Sequence, residues 1–270
     1  MMKTAYQLSP TEQAKTSREP DYAGPFFSAA IICAWMVSIW FGFFHVRTGL
    51  IPDSPGAIGM ILWIQFLFCG LFIISHDACH GTACASNPRL NRWLGRIAAG
   101  LYAAFDFDRL VPEHHAHHIR VASAGDPDFH DGTEKGANFL RWGIRFFTHY
   151  VRLRQILVMM AVAQVFFHVL RIPDRNVIQF WVLPALLSGV QLFVFGTWLP
   201  HRSSSRKPFP DHHHARDSNF PWWLSLLTCW HFGYHHTHHL YPGVPWFRLP
   251  FKRRLANETA HYDGNKNFFP

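Results

Sequence analysis

Charge is scarce in this chain and missing altogether from long stretches of it. Only 16% of the residues are Asp, Glu, Lys or Arg, against about 25% in ordinary soluble domains. The runs Phe26 to Val46, Gly56 to Ser75 and Val177 to Pro200 contain none of the four. At about 1.5 Å of helix rise per residue, each is long enough to cross a hydrocarbon core of about 30 Å. A mean hydropathy near zero therefore averages over strong segregation and does not describe a soluble protein. A fourth run, Gln155 to Leu170, is shorter and carries Gln164 and His168, but Arg154 and Arg171 bracket it and are long enough to snorkel to the interfaces. The first run is too long for the core of a cleaved signal peptide, and no small-residue cleavage site follows it.

Other absences narrow the chemistry. The five cysteines, Cys33, Cys69, Cys79, Cys84 and Cys229, form no CxxC pair and sit in or beside apolar runs, so they are expected to be small buried hydrophobes, not disulfides or ligands. There is no HExxH, so a zinc peptidase of that type lacks its general base. No phosphate-cradling glycine loop and no nucleophile elbow occur. Acidic residues are also outnumbered, 17 against 25 basic, for a net charge of +8. In a membrane chain that excess reflects topology and anionic lipid, not nucleic acid. All 25 basic residues except Arg47, Arg171 and Arg175 fall on one side of the four runs. The positive-inside rule places that side, with both termini, in the cytoplasm.

What the chain has in abundance is histidine, 20 residues in all. Eight of them form three boxes: His76-x3-His80 in HDACH, His114-x2-His117-His118 in HHAHH, and His235-x2-His238-His239 in HHTHH, with His201 as a ninth candidate. Residues three and four apart share a helix face, so each box aims two or three imidazoles at one point. Neutral imidazole binds iron, zinc, copper and nickel. Eight or nine imidazoles exceed the four of a structural zinc site, so two metals is the economical reading. Spacing alone does not choose among iron, zinc and copper. Imidazoles bring no charge, so nearby carboxylates are expected to offset the metals and orient the rings; Asp77, Glu113, Asp126 and Asp128 are the candidates. His115 and His236 should point away from the metals, His231 is the reserve ligand, and the triplet His212 to His214 reads as a solvated tract. The basic run Lys252-Arg253-Arg254 suits lipid headgroups or an acidic electron carrier.

The expected organisation is a polar tail over 1–24, one membrane domain over 25–254 and a second tail over 255–270. The fold expected is all-α: four transmembrane helices with a helical cytoplasmic cap that holds the histidines. Leu90 to Phe105 and Glu134 to Tyr150 mix aromatic residues with arginine as interfacial amphipathic helices do.

The boxes resemble those of the membrane di-iron desaturase and hydroxylase superfamily. Within it, HDACHG, GLYAAFDFDRLVPEHHAHH followed by DPDFH, FGTWLPHR and LLTCWHFGYHHTHHLYPGVPWFRLP are similar to bacterial β-carotene ketolases. The likeness covers roughly residues 76–130 and 190–250. It implies that His76, His80, His114, His117, His118, His201, His235, His238 and His239 bind two iron ions. It also implies O2 as co-substrate, electrons from a reduced ferredoxin-like donor, and a location in the bacterial cytoplasmic membrane. The substrate it implies is a carotenoid drawn from the bilayer. The C4 methylene of a β-ionone ring would be hydroxylated twice and dehydrated to a ketone, taking β-carotene through echinenone to canthaxanthin, or zeaxanthin to astaxanthin. Two positions depart from the family's pattern: Cys79 stands where methionine is usual, and Thr237 where glutamate is frequent. Neighbouring readings with shared chemistry are a carotenoid ring 3-hydroxylase and a fatty-acyl desaturase or hydroxylase. A non-catalytic membrane protein that binds metal is the reading of a different class.

Overall fold

The computed structural model describes residues 22–49, 51–123, 125–133, 136–203 and 209–256. Most of both expected tails lies outside them. The described residues are helical, and their single β-bridge joins Asp217 to Tyr234.

Three helices are long and apolar enough to cross a membrane: α1 (Ala23–Phe44), α2 (Pro55–Cys79) and α7 (Asp174–His201). Between α2 and α7 the chain forms α3 (Pro88–Ala103), α4 (Phe107–Ile119), α5 (Phe139–Tyr150) and α6 (Leu153–Val169). Helices α5 and α6 satisfy the same length and composition test as a pair, but a 77° bend separates them. The amphipathic stretch expected before Tyr150 and the fourth apolar run thus form one bent unit. Short helices α8 (Trp222–Cys229) and α9 (His235–Leu240) follow, and after them a 3-10 turn over Trp246–Arg248 leads into helical residues 249–256.

Local chemistry sets the starts of these helices. Ser54 and Asn87 cap α2 and α3 by accepting the amide protons of Ala57 and Leu90, and Pro55 and Pro88 occupy the first turn, where a missing N–H costs nothing. Inside α7 the turns widen to π-helix over Ile178–Val182 and Phe193–Trp198, just ahead of Pro184 and Pro200. Each proline lacks an amide proton and crowds the carbonyl four residues back, and the wider turn relieves both.

Helix α2 is the centre of the bundle, packed on α1, α3 and α7. Its apolar residues Ile64, Phe68, Leu71 and Ile73 are fully buried. At one end, Asn176 donates to the carbonyls of Gly42 and Val46, and the hydroxyl of Thr48 donates to Gln179. At the other end, Asn91 of α3 donates to the carbonyl of Ala78 at 2.8 Å and accepts from the amide of Cys84 at 3.1 Å. Gly95 permits this approach, since a Cβ there would lie 2.8 Å from the Cβ of Ala78 on α2 and 2.4 Å from the ring of Phe107 on α4. The outward faces of α1, α6 and α7 expose Val37, Trp40, Leu157, Met160 and Leu186, large apolar side chains of the kind that lipid covers. Cys69, Cys79, Cys84 and Cys229 are buried thiols as expected, whereas Cys33 lies exposed on α1.

Candidate metal centre

Helices α2 and α7 end side by side, and α4 and α9 lie across those ends, so the three boxes and His201 converge. The nine imidazoles separate into two groups. His76, His80, His114, His118 and His238 form one; His117, His201, His235 and His239 form the other. In each group a nitrogen from every ring lies within 4.8 Å of the others. The helical period explains the division: His114 and His118 are one turn apart and share the first group, while His117 faces the second.

The spacing inside the groups is that of ligands around a cation. Nε2 of His80 approaches Nε2 of His114 at 2.7 Å, that of His118 approaches His114 at 3.2 Å, and that of His238 approaches His118 at 3.1 Å. In the second group, Nε2 of His239 lies 3.1 Å from Nε2 of His235. A metal about 2.1 Å from each nitrogen sets adjacent ligands about 3 Å apart. Nε2 of His76 and of His201 are buried without a hydrogen-bond partner, an arrangement that costs about 1–3 kcal/mol per group unless something accepts the lone pair. The donor set fits two borderline metal ions such as ferrous iron.

Several rings are anchored through their outer nitrogen, an arrangement that leaves Nε2 free to meet a metal. Nδ1 of His117 meets Asp126 Oδ1 at 2.9 Å, and Nδ1 of His201 meets the carbonyl of His214 at 2.8 Å. Nδ1 of His76 lies 3.4 Å from Asp77 Oδ1, and the other Asp77 oxygen accepts from the Trp246 amide at 3.0 Å. Asp128 Oδ2 stands 3.8 Å from His117 Nδ1, and its Oδ1 accepts a hydrogen bond from the Tyr150 hydroxyl. Glu113 is placed differently: it meets Nε2 of His149 at 3.0 Å and Arg109 at 3.3 Å. Adjacent residues on a helix point about 100° apart, so a neighbour of His114 in sequence is not its neighbour in space.

Electrostatics keep most of these rings neutral, the form that binds metal. Burial, aided by His115 and His117, holds His80 down at about 4. Burial together with His80 and His117 brings His118 to about 2. His114, His235, His238 and His239 are pushed well below the ordinary value by burial and by the other box histidines around them. His117 is the exception. Burial opposes its charge as well, but Asp128 and Asp126 outweigh it and raise the pKa.

The remaining histidines stand apart. Nε2 of His115 meets the carbonyl of Cys79 at 3.0 Å, and Nε2 of His236 meets Asp211 at 2.9 Å. His231 stacks on Tyr234 and lies beside Ser225, in neither group. His212 and His213 gather with Asp211 as a separate, partly exposed cluster. Two residues of this region were not legible in the chain. Asp217 accepts from the amide and the hydroxyl of Thr237 at 3.0 and 2.6 Å and meets Arg253 at 3.3 Å, which fixes α9. Phe232 packs its ring 4.7 Å from His76 and 4.9 Å from His235, between the two groups.

A cavity of about 450 Å³ leads to the histidines, within the roughly 300–1,000 Å³ of small-molecule sites. Phe72, Phe105, Phe146, Phe147, Met159, Met160 and Trp181 line it, and His76, His114, His117 and His235 border it. Its wall includes Ile156, Val182 and Leu186 of α6 and α7, so it runs beside the faces those helices present outward.

Residues 52–177 and 150–268 match the fatty acid desaturase family. The chain is 41% identical over 239 residues to a β-carotene ketolase of a Paracoccus species, which covers 86% of this chain and 93% of that protein. It is 34% identical over 257 residues to a β-carotene 4-ketolase of Protosiphon botryoides, covering 88% and 65%. A zeaxanthin 4-ketolase of Chlamydomonas reinhardtii is 33% identical over 258 residues, covering 89% and 55%.

Proposed function

Because this chain belongs to the fatty acid desaturase family and to its β-carotene ketolase branch, we propose a specific reaction and a specific metal centre for it. The protein is an integral membrane oxygenase that uses iron and O2 to convert β-carotene to ketocarotenoids. The reaction is oxidation of the C4 methylene of each β-ionone ring to a ketone, giving echinenone and then canthaxanthin; zeaxanthin is the second substrate, as the name of the Chlamydomonas relative suggests.

Two ferrous ions are held, one by His76, His80, His114, His118 and His238, the other by His117, His201, His235 and His239. The observation that carries this reading is the convergence of nine imidazoles into two groups at the end of one apolar cavity. Bound iron supplies the valence change that O2 chemistry requires and zinc lacks. The protein supplies the rest. Asp126 and the His214 carbonyl orient His117 and His201, and burial keeps His80, His114, His118, His235, His238 and His239 neutral. The cavity wall excludes water and strips the ring end of the substrate to van der Waals contacts. Its volume suits one ring and the start of the polyene, so the remainder of the molecule stays in the bilayer. Within reach of the histidines, C4 is the allylic carbon whose radical the polyene stabilises, and it is therefore the position attacked.

In the proposed topology α5 and α6 together make the fourth span, α3, α4, α8 and α9 form a cytoplasmic cap, and both termini are cytoplasmic. Residues 25–254 form one domain between tails at 1–24 and 255–270. The membrane is the bacterial cytoplasmic membrane, and a reduced ferredoxin-like protein donates electrons at the cap. Expression in a host that accumulates β-carotene tests the reading. Echinenone and canthaxanthin with the wild type, and neither with His117→Ala, is the expected result. Formation of 3-hydroxy pigments, or turnover of acyl chains with β-carotene untouched, would replace it with the hydroxylase or desaturase alternative. Iron binding without O2 consumption would indicate a metal-binding protein.

A further inference from the structure

Turning a methylene into a ketone is a four-electron oxidation and must pass through the alcohol. In the first round the methylene takes one oxygen atom from O2, the other leaves as water, and the donor supplies two electrons with two protons. The second round repeats this on the alcohol to give a geminal diol, which loses water. An alcohol that stays in the site between rounds has to be held there, although the cavity is built for a hydrocarbon. Apolar contact alone distinguishes methylene, alcohol and ketone poorly.

One feature of the cavity wall does distinguish them. Among the described residues, Asp128 is the only carboxylate that lines the cavity, and it lies at the end nearest His117. Its Oδ1 already accepts from the Tyr150 hydroxyl, itself a lining group. Its backbone carbonyl accepts from Trp142 Nε1 at 2.7 Å, and its amide donates to Asp126 at 2.9 Å, so the residue is fixed from three sides. A carboxylate has about four lone-pair directions and only accepts; lone pairs on Asp128 therefore remain for a ligand.

We propose that Asp128, turned into the cavity by Tyr150, holds the 4-alcohol between the two oxidations and releases the ketone. This rests on the ketolase reading above. The alcohol and the diol each carry an O–H that donates to the carboxylate. The hydrocarbon has no donor and is indifferent to it. The ketone offers only lone pairs, which the carboxylate repels, so the finished product is the oxidised form held least. Tyr150 acts here as a positioning residue: without its hydroxyl the carboxylate is free to swing toward Nδ1 of His117.

The test is the product distribution of Tyr150→Phe in β-carotene-accumulating cells. A charge-assisted hydrogen bond is the interaction at stake, so the ratio of 4-hydroxy to 4-keto pigment should rise roughly tenfold, whatever the total of oxidised carotenoid. A purely structural defect would lower both products together. An unchanged ratio, whatever the total, would overturn the proposal. Should the variant fail to accumulate, wild-type membranes decide the matter. With labelled β-carotene and excess unlabelled 4-hydroxy-β-carotene as a trap, label should pass into the ketone with little of it in the free alcohol, and label accumulating in the alcohol pool would overturn retention. Absence of any ketone from the wild type would instead refute the ketolase reading itself.

Discussion

Replacing Asp126 by asparagine keeps the shape of a buried side chain and removes its charge. Asp126 is 2% exposed and accepts three hydrogen bonds: from His117 Nδ1 at 2.9 Å, from the Ala122 amide at 2.8 Å and from the Asp128 amide at 2.9 Å. The first and third go to Oδ1 and the second to Oδ2. An asparagine oriented to retain the Oδ1 pair turns its NH2 toward the Ala122 amide, so one bond becomes a donor–donor contact. That costs about 1–3 kcal/mol of stability. The effect on metal comes through His117, whose Nδ1 loses a carboxylate partner. Such outer partners are worth roughly 10- to 100-fold in metal affinity, or about 1.4–2.8 kcal/mol. Asp126 touches no imidazole of the five-histidine group, so that ion should be unaffected. The assay is iron per chain in purified protein across a chelator titration. The variant should release one iron at a chelator concentration 10- to 100-fold below that of the wild type and hold the second unchanged. Release of both together, or a wild-type curve, would refute the division into two groups.

Three further outcomes follow from the same geometry. A Cβ at Gly196 would stand 2.4 Å from the Phe232 ring, which packs on His76 and His235. Gly196→Ala should therefore cost about 1–3 kcal/mol and reduce ketone yield, and a wild-type melting temperature and pigment profile would count against the packing described. Thr237→Val removes the hydroxyl that donates to Asp217 and should destabilise the solubilised protein by about 1–3 kcal/mol; an unchanged thermal transition would show that Arg253 and the residue 237 amide satisfy that carboxylate without it. On acidification, rings whose pKa is lowered stay neutral below the usual 6.5, whereas His117, raised by Asp128 and Asp126 against its burial, protonates earlier. Iron should thus leave the four-histidine group at a higher pH than the five-histidine group, and a single-step loss would contradict this.

The boxes were legible because ligand spacing on a helix is a local property: i, i+3 and i+4 are read directly from HDACH, HHAHH and HHTHH. The apolar runs were legible for the same reason. The carboxylates were harder. Asp126 and Asp128 follow the second box by one short loop and do reach His117, but Glu113, adjacent to His114, points to His149. Asp217 meets Thr237 across 20 residues, a contact set by how α9 packs and not by any local pattern. The bend between α5 and α6 falls at Val151 and Arg152, with neither glycine nor proline to announce it. Cys33 was misjudged because a cysteine in an apolar run faces lipid as readily as protein.

The central claim is that two metal ions act together at the end of the cavity. It is tested most directly by returning ferrous iron to metal-free protein in membranes that contain β-carotene and a reductant. Ketone formation is then measured against iron bound per chain. Activity should stay near zero until the second ion binds and reach its maximum at two per chain. Full activity at one iron per chain would contradict the account.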